Sequence, residues 1–149
     1  MNADDRDAAV AALAKLARSA DYRDRADAGD ALAAFAEDSR ARQILVAELA
    51  AGENTAVTLR VAEALLRRLD EPGLSAAALG LARADPNHAD WIYTAIMNVF
   101  VIYAQDQDTA MAICADLIRA SDGEIARGAQ LIASTISEIE PVLGPAQPR

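Results

Sequence analysis

The chain has 149 residues, 53% of them hydrophobic, so it is long enough to form one domain with a buried core and is not disordered by composition. Its formal net charge of −9 argues against nucleic acid as a partner, because each phosphate contact requires a lysine or an arginine. The acidic N-terminus, residues 1–7, lacks the basic region of a signal peptide, and the longest uncharged run, 91–105, is shorter than the roughly 20 residues that span a bilayer. We therefore expect a cytoplasmic protein without a membrane partner. Abundant alanine, with arginine far outnumbering lysine, is typical of GC-rich bacterial genomes.

Apolar residues recur at helical spacing along the chain, and no segment alternates apolar and polar residues as a half-buried strand does. Glycine, proline and capping residues divide the chain into segments of helical length. The pattern predicts an all-α fold of about eight helices. Their expected ranges are about 4–19, 22–37, 39–51, 55–69, 73–84, 88–104, 107–120 and 123–139.

A shift of 33 residues aligns the chain with itself. Asp21, Asn54 and Asn87 align as helix N-caps, since each has a side chain that can accept a backbone N–H. Apolar residues align on one helix face, with uniformly small residues between them. The aligned small positions are Gly29, Ala62, Ala95 and Gly128.

Residues 21–32, with arginine near the helix start, small residues after it and Ala31-Leu32 one turn later, resemble the first helix of a HEAT repeat. Residues 56–65 are a second copy, and the resemblance is good over 21–84 and weak over 85–139. It implies a short right-handed α-solenoid of antiparallel helix pairs over residues 1–140, with protein–protein scaffolding as its role. It identifies no functional residue. Residues 141–149 contain three prolines and are expected to be irregular or disordered.

The chain has few histidine and cysteine residues that could serve in catalysis or metal binding. His88 is the only histidine and Cys114 the only cysteine, and no glycine-rich phosphate loop or nucleophile elbow is present. We expect no catalytic residue, no cofactor and no metal, with His88 in a turn or capping role and Cys114 as a buried inert thiol. A lyase- or glycosylase-type enzyme of HEAT-like fold stays as an alternative, although such a glycosylase needs a basic groove.

Residues 91–104 hold four of the six aromatic residues and no charge. Two interpretations stay open for this helix. In one it lies buried in the middle of the stack, and in the other Trp91, Tyr93 and Asn98 reach a partner, since tryptophan and tyrosine are frequent interface anchors.

We expect a non-catalytic binding protein, and in a specific version an immunity or antitoxin-like protein that masks a basic partner. Residues 105–140 carry seven acidic residues against two arginines, which favours such a partner. A structural homo-oligomer subunit or a homodimer is the alternative without a separate ligand. The expected partner-binding residues are Trp91, Tyr93, Asn98, Asp106, Asp108 and Asp116.

Overall fold

The computed structural model describes residues 1–120 and 123–144, and these residues form eight α-helices and no strand. Helices account for 79% of them, which confirms the all-α prediction. No helix in the described ranges has the length and apolar character needed to cross a bilayer. The helices are α1 (Ala3–Leu16), α2 (Tyr22–Ala33), α3 (Ser39–Ala51), α4 (Thr55–Arg67), α5 (Glu71–Arg83), α6 (Pro86–Phe100), α7 (Ala104–Ala120) and α8 (Gly123–Ser137).

Two of the three predicted N-caps are confirmed. The side chain of Asp21 accepts the backbone N–H of Arg23, and that of Asn54 accepts the N–H of Ala56. The third prediction, Asn87, is wrong, because Asp85 caps α6 and Asn87 lies inside the helix.

The earlier start of α6 has a local reason. Pro86 occupies the first position of the helix, where its missing N–H is not needed and its φ angle is already helical. The carboxylate of Asp85 then accepts the N–H of His88 at 2.8 Å. Helix α2 also differs from its expected range, since it stops at Ala33 and not at residue 37. The chain continues there in tighter turns, with the N–H of Phe35 bonded to the carbonyl of Leu32.

The helices pack in two rows. In one row α2 contacts α4 and α4 contacts α6, and in the other α3 contacts α5 and α5 contacts α8. The first helix, α1, contacts α2 and α3, while α7 packs chiefly on α8. Burial of each large core side chain stabilises the fold by about 1.5–3 kcal/mol. Fully buried members of this core include Leu32, Leu45, Leu49, Leu65, Leu66, Leu74, Ile92, Ile96, Phe100 and Ile132.

All four predicted small positions are buried, but the last belongs to a different row from the other three. A Cβ atom on Gly29 in α2 would lie 2.5 Å from Cγ2 of Val61 in α4, which is closer than atoms approach. A Cβ atom on Gly128 in α8 would collide with the carbonyl oxygen of Ala78 in α5. The alignment of α8 with the first helices is therefore corrected: it lies beside α5, in the row of the second helices.

Candidate partner-binding surface

Helix α6 has one buried side and one exposed side. Ile92, Ala95 and Ile96 are fully buried, as the repeat alignment predicts for three of its four core positions, while Val99 is half-buried. Trp91 is 38% exposed and lies off this buried side. The interpretation of α6 as a helix buried all round is therefore wrong.

The other two predicted residues of α6 differ in their surroundings. Tyr93 is half-buried and packs against the core. Asn98 is exposed, and its Nδ2 donates to Oε1 of Glu63 in α4 at 3.3 Å. Asn98 thus contributes to packing between neighbouring helices, and a partner would compete with Glu63 for its amide.

The three predicted acidic residues lie along α7. Asp106 is half-buried, whereas Asp108 and Asp116 are exposed. Asp116 forms an ion pair with Arg119, one turn further along the helix. Asp106 and Asp108 form no ion pair with any residue in the described ranges, so their charge is uncompensated locally.

A short parallel pairing joins the chain after α8 to the junction of α6 and α7. The N–H of Val142 donates to the carbonyl of Val101 at 2.8 Å, and that of Leu143 donates to Ile102 at 2.7 Å. The carbonyl of Leu143 in turn accepts the N–H of Ala104 at 2.9 Å. Residues 141–144 of the predicted irregular tail are therefore bonded to the α6–α7 junction, and residues 145–149 lie outside the described part of the chain.

This pairing brings the backbone of four residues with exposed apolar side chains together at one corner of the molecule. Val142 is 70% exposed, and Leu143, Tyr103 and Ile102 are also exposed. An apolar cluster on a surface marks a contact site more often than single exposed apolar residues do.

The side chain of Gln107 links the start of α7 to the end of α6 and to the segment after α8. Its Nε2 donates to the carbonyl of Phe100 at 2.9 Å and to that of Ile139 at 3.2 Å. Because Gln107 lies between Asp106 and Asp108, and Ile139 between Glu138 and Glu140, the contact brings the backbone of four acidic residues to the same corner. None of the four forms an ion pair with a residue that the structure describes. We call Ile102, Tyr103, Asp106, Asp108, Glu138, Glu140, Val142 and Leu143 the acidic corner.

The predicted partner-binding residues do not all lie at one place on the surface. Trp91 lies ten residues before Val101, which is about 15 Å along the axis of α6. Asp116 is about as far from Asp106 along α7. The acidic corner therefore contains Asp106 and Asp108 but neither Trp91 nor Asp116. The apolar members that the sequence analysis missed are Ile102, Tyr103, Val142 and Leu143.

The two residues considered for catalysis, Cys114 and His88, lie in the interior of the fold. The single thiol, Cys114, is buried, and this burial raises its pKa to about 11, as expected for an inert cysteine. His88 is buried with both ring nitrogens bonded: Nε2 lies 2.7 Å from the carbonyl oxygen of Gly52 and Nδ1 lies 2.8 Å from Oδ1 of Asp85. Within the described residues, no group of three or more histidine, cysteine or acidic side chains is placed to hold a metal ion.

Comparison with known proteins identifies no relative. No protein-family model, no curated protein and no solved structure matches this chain. The fold defines it as an all-helical protein.

Proposed function

We propose that this chain is a non-catalytic protein-binding module, built as a short right-handed HEAT-like α-solenoid of antiparallel helix pairs. Two observations support this architecture: the 33-residue period over the first three copies, and the contacts of α2 with α4, of α4 with α6 and of α3 with α5. In such an array each pair buries its apolar side against its neighbours, and the outer surfaces stay available for binding.

The acidic corner is the surface that this proposal assigns to the partner. It combines exposed apolar side chains, which can be desolvated in an interface, with four carboxylates that form no ion pair with the described residues. A partner with complementary chemistry presents apolar side chains surrounded by lysine and arginine. The observation that carries the proposal is the proximity of Ile102, Tyr103, Val142 and Leu143 to acidic residues that form no ion pair in the described part of the chain.

A specific version of the proposal is an immunity or antitoxin-like protein that acts in the bacterial cytoplasm. Its partner would then be a basic protein whose functional surface is covered by the acidic corner. The carboxylates would accelerate encounter, an effect that salt screens beyond a Debye length of about 8–10 Å. The apolar side chains would slow dissociation.

The test is to capture the partner from the native host and to compare binding kinetics between matched variants. Asp106→Asn/Asp108→Asn should lower the association rate constant and its salt dependence. The control is Asp4→Asn/Asp7→Asn, which changes the net charge equally at exposed positions of α1. Tyr103→Ala should instead raise the dissociation rate constant, with a loss of affinity of about 2 kcal/mol if the ring is an anchor.

Two outcomes would contradict the proposal. Equal kinetics for the corner and control variants would show that binding uses another surface. A concentration-dependent dimer in sedimentation, lost in Tyr103→Ala, would show that the apolar cluster joins two copies of this chain and would favour the homo-oligomer alternative.

A further inference from the structure

A groove follows α3, with the end of α1 and the start of α2 on one side and α5 on the other. It consists of three adjoining depressions with volumes of about 640, 360 and 230 Å³. The first and second share Ala47 and Glu48 as lining residues, and the second and third share Gln43 and Ala47. The three depressions are therefore parts of one continuous surface, which we call the α3 groove.

The charge of the α3 groove is opposite to that of the chain. Five arginines and two glutamates line it, whereas the whole chain has a net charge of −9. A local excess of arginine in an acidic protein favours an anionic ligand at this place. The charged lining residues are Arg18, Arg25, Arg40, Arg42, Arg83, Glu48 and Glu53.

Four of these arginines have no carboxylate partner among the described residues, and one of the four, Arg25, donates to the backbone carbonyls of Ser19 and Ala20. Arg18 and Arg40 are exposed, and their side chains make no hydrogen bond or ion pair with the described residues. Arg42 donates only to the hydroxyl of Ser75, at 2.8 Å. Most other arginines of the fold are paired: Arg60, for example, binds Asp27 and Asp30. Guanidinium groups left without a carboxylate can form bidentate contacts with one from a partner.

The floor of the groove is apolar and made of small or medium side chains, which leaves room for side chains of a ligand. Glu48 lines the wall where two depressions meet, and its Oε2 is a buried oxygen that no donor in the described part of the chain reaches. A peptide can supply both an apolar side chain and a backbone N–H, whereas a phosphate backbone supplies neither. The apolar floor residues are Ala14, Ile44, Val46, Ala47, Ala50 and Leu79.

We propose that the α3 groove binds an acidic segment of a partner protein, whose carboxylates pair with Arg18, Arg40 and Arg42 while apolar side chains between them cover the floor. Helix α3 has 13 residues and is about 20 Å long, so an extended segment of roughly six to eight residues covers it. The site differs in place and charge from the acidic corner, and it does not depend on the function proposed there.

Fluorescence polarisation with a labelled peptide tests the proposal directly. The probe is an extended peptide of about eight residues in which glutamate alternates with leucine. We expect saturable binding to the full chain, and binding at least about tenfold weaker to Arg18→Glu/Arg40→Glu. The matched control, Arg23→Glu/Arg67→Glu, changes the net charge equally at exposed residues of α2 and α4 and should leave the affinity nearly unchanged.

Further measurements distinguish an acidic peptide from other ligands of the α3 groove. Backbone amide shifts in NMR spectra should change at Gln43, Ala47 and Ala50 when the peptide binds. Circular dichroism should show that both double variants keep the helical fold, since they alter exposed side chains. Four results would overturn the proposal: no binding to the wild-type chain, equal weakening in both double variants, stronger displacement by single-stranded oligothymidylate than by poly-glutamate, or self-association that Arg18→Glu/Arg40→Glu abolishes.

Discussion

His88 links the start of α6 to the end of α3. The carbonyl oxygen of Gly52 can only accept a hydrogen bond, so Nε2 of His88 donates to it. If Nδ1 also donates to the carboxylate of Asp85, the ring carries a proton on both nitrogens. Both hydrogen bonds raise the pKa of His88 above its ordinary value of 6.5, and the bond to Gly52 has the larger effect. The pKa of Asp85 is lowered, chiefly by the backbone N–H of His88 that its carboxylate accepts and then by the His88 ring.

We predict that this link stabilises the fold in a pH-dependent way. Because the pKa of His88 is raised in the folded state, its contribution is complete below pH 6.5 and is lost as the pH rises through the folded-state pKa. His88→Ala should lower the free energy of unfolding by about 1–3 kcal/mol at low pH and by less at high pH. Urea denaturation of both proteins at about pH 5.5 and pH 9 measures the difference.

Asp85→Asn is the control for this prediction. Asparagine keeps the N-cap of α6 but removes the carboxylate, so the pH dependence should weaken while the helix is retained. The same loss of stability at both pH values in His88→Ala would contradict a charged ring and indicate a neutral hydrogen bond only.

At the scale of the element, α8 depends on one close approach to α5. We predict that Gly128→Ala destabilises the fold by about 1–3 kcal/mol, because the added Cβ would collide with the backbone carbonyl of Ala78, which a rotamer change cannot move. Chemical denaturation measures the change.

Gly123 in the same helix is a matched control, since a Cβ there meets no atom within 4 Å. Gly123→Ala should leave stability unchanged or raise it slightly, because alanine has the higher helix propensity. Equal stability of the two variants would mean that α8 and α5 are further apart than the structure places them.

Helix α6 provides a second comparison within one element. Trp91 is partly exposed and Ile96 is fully buried, so we predict that Ile96→Ala costs about 2–5 kcal/mol and Trp91→Ala clearly less. Thermal or urea denaturation tests the order. Trp91 is the only tryptophan, so acrylamide should quench the intrinsic fluorescence of the free protein. A fully protected, blue-shifted emission with a large stability loss in Trp91→Ala would contradict this placement.

At the scale of the whole molecule, stability is expected to be uneven along the array. Helix α1 packs mainly on α2 and α3. Its first eight residues are mostly exposed or half-buried. Helices α4 and α5 contact neighbours on several sides and contain fully buried leucines such as Leu65, Leu66 and Leu74. Local opening should therefore begin at α1.

We predict that hydrogen exchange follows this order. Backbone amides of α1 should exchange fastest among the helices compared, and those of α4 and α5 slowest, because their opening approaches global unfolding. Native-state exchange followed by mass spectrometry or NMR measures the rates. Protection of α1 equal to that of α4 would show that the array opens as a single cooperative unit.

The local features of this protein could be predicted from its sequence. Helical spacing identified the all-α class and the buried positions Ile92, Ala95 and Ile96, and side-chain chemistry identified the caps Asp21 and Asn54. These features depend on residues a few positions apart, whose interactions are set by helix geometry and capping. The prediction of Asn87 as the cap of α6 is wrong because Pro86 occupies the first helical position, so the cap is Asp85. Both Asp85 and Asn87 are good N-cap residues, and they lie two positions apart.

Which distant residues share a surface could not be predicted from the sequence. The contact of Gln107 with Ile139, the pairing of Val142 with Val101, the packing of α8 on α5 and the line of arginines along α3 all join residues far apart in the chain. The direction in which the chain returns after α7 depends on the packing of whole helices, and periodicity within each helix carries no information about it. For that reason the sequence identified acidic residues and an apolar helix, while the acidic corner and the α3 groove emerged only from the fold.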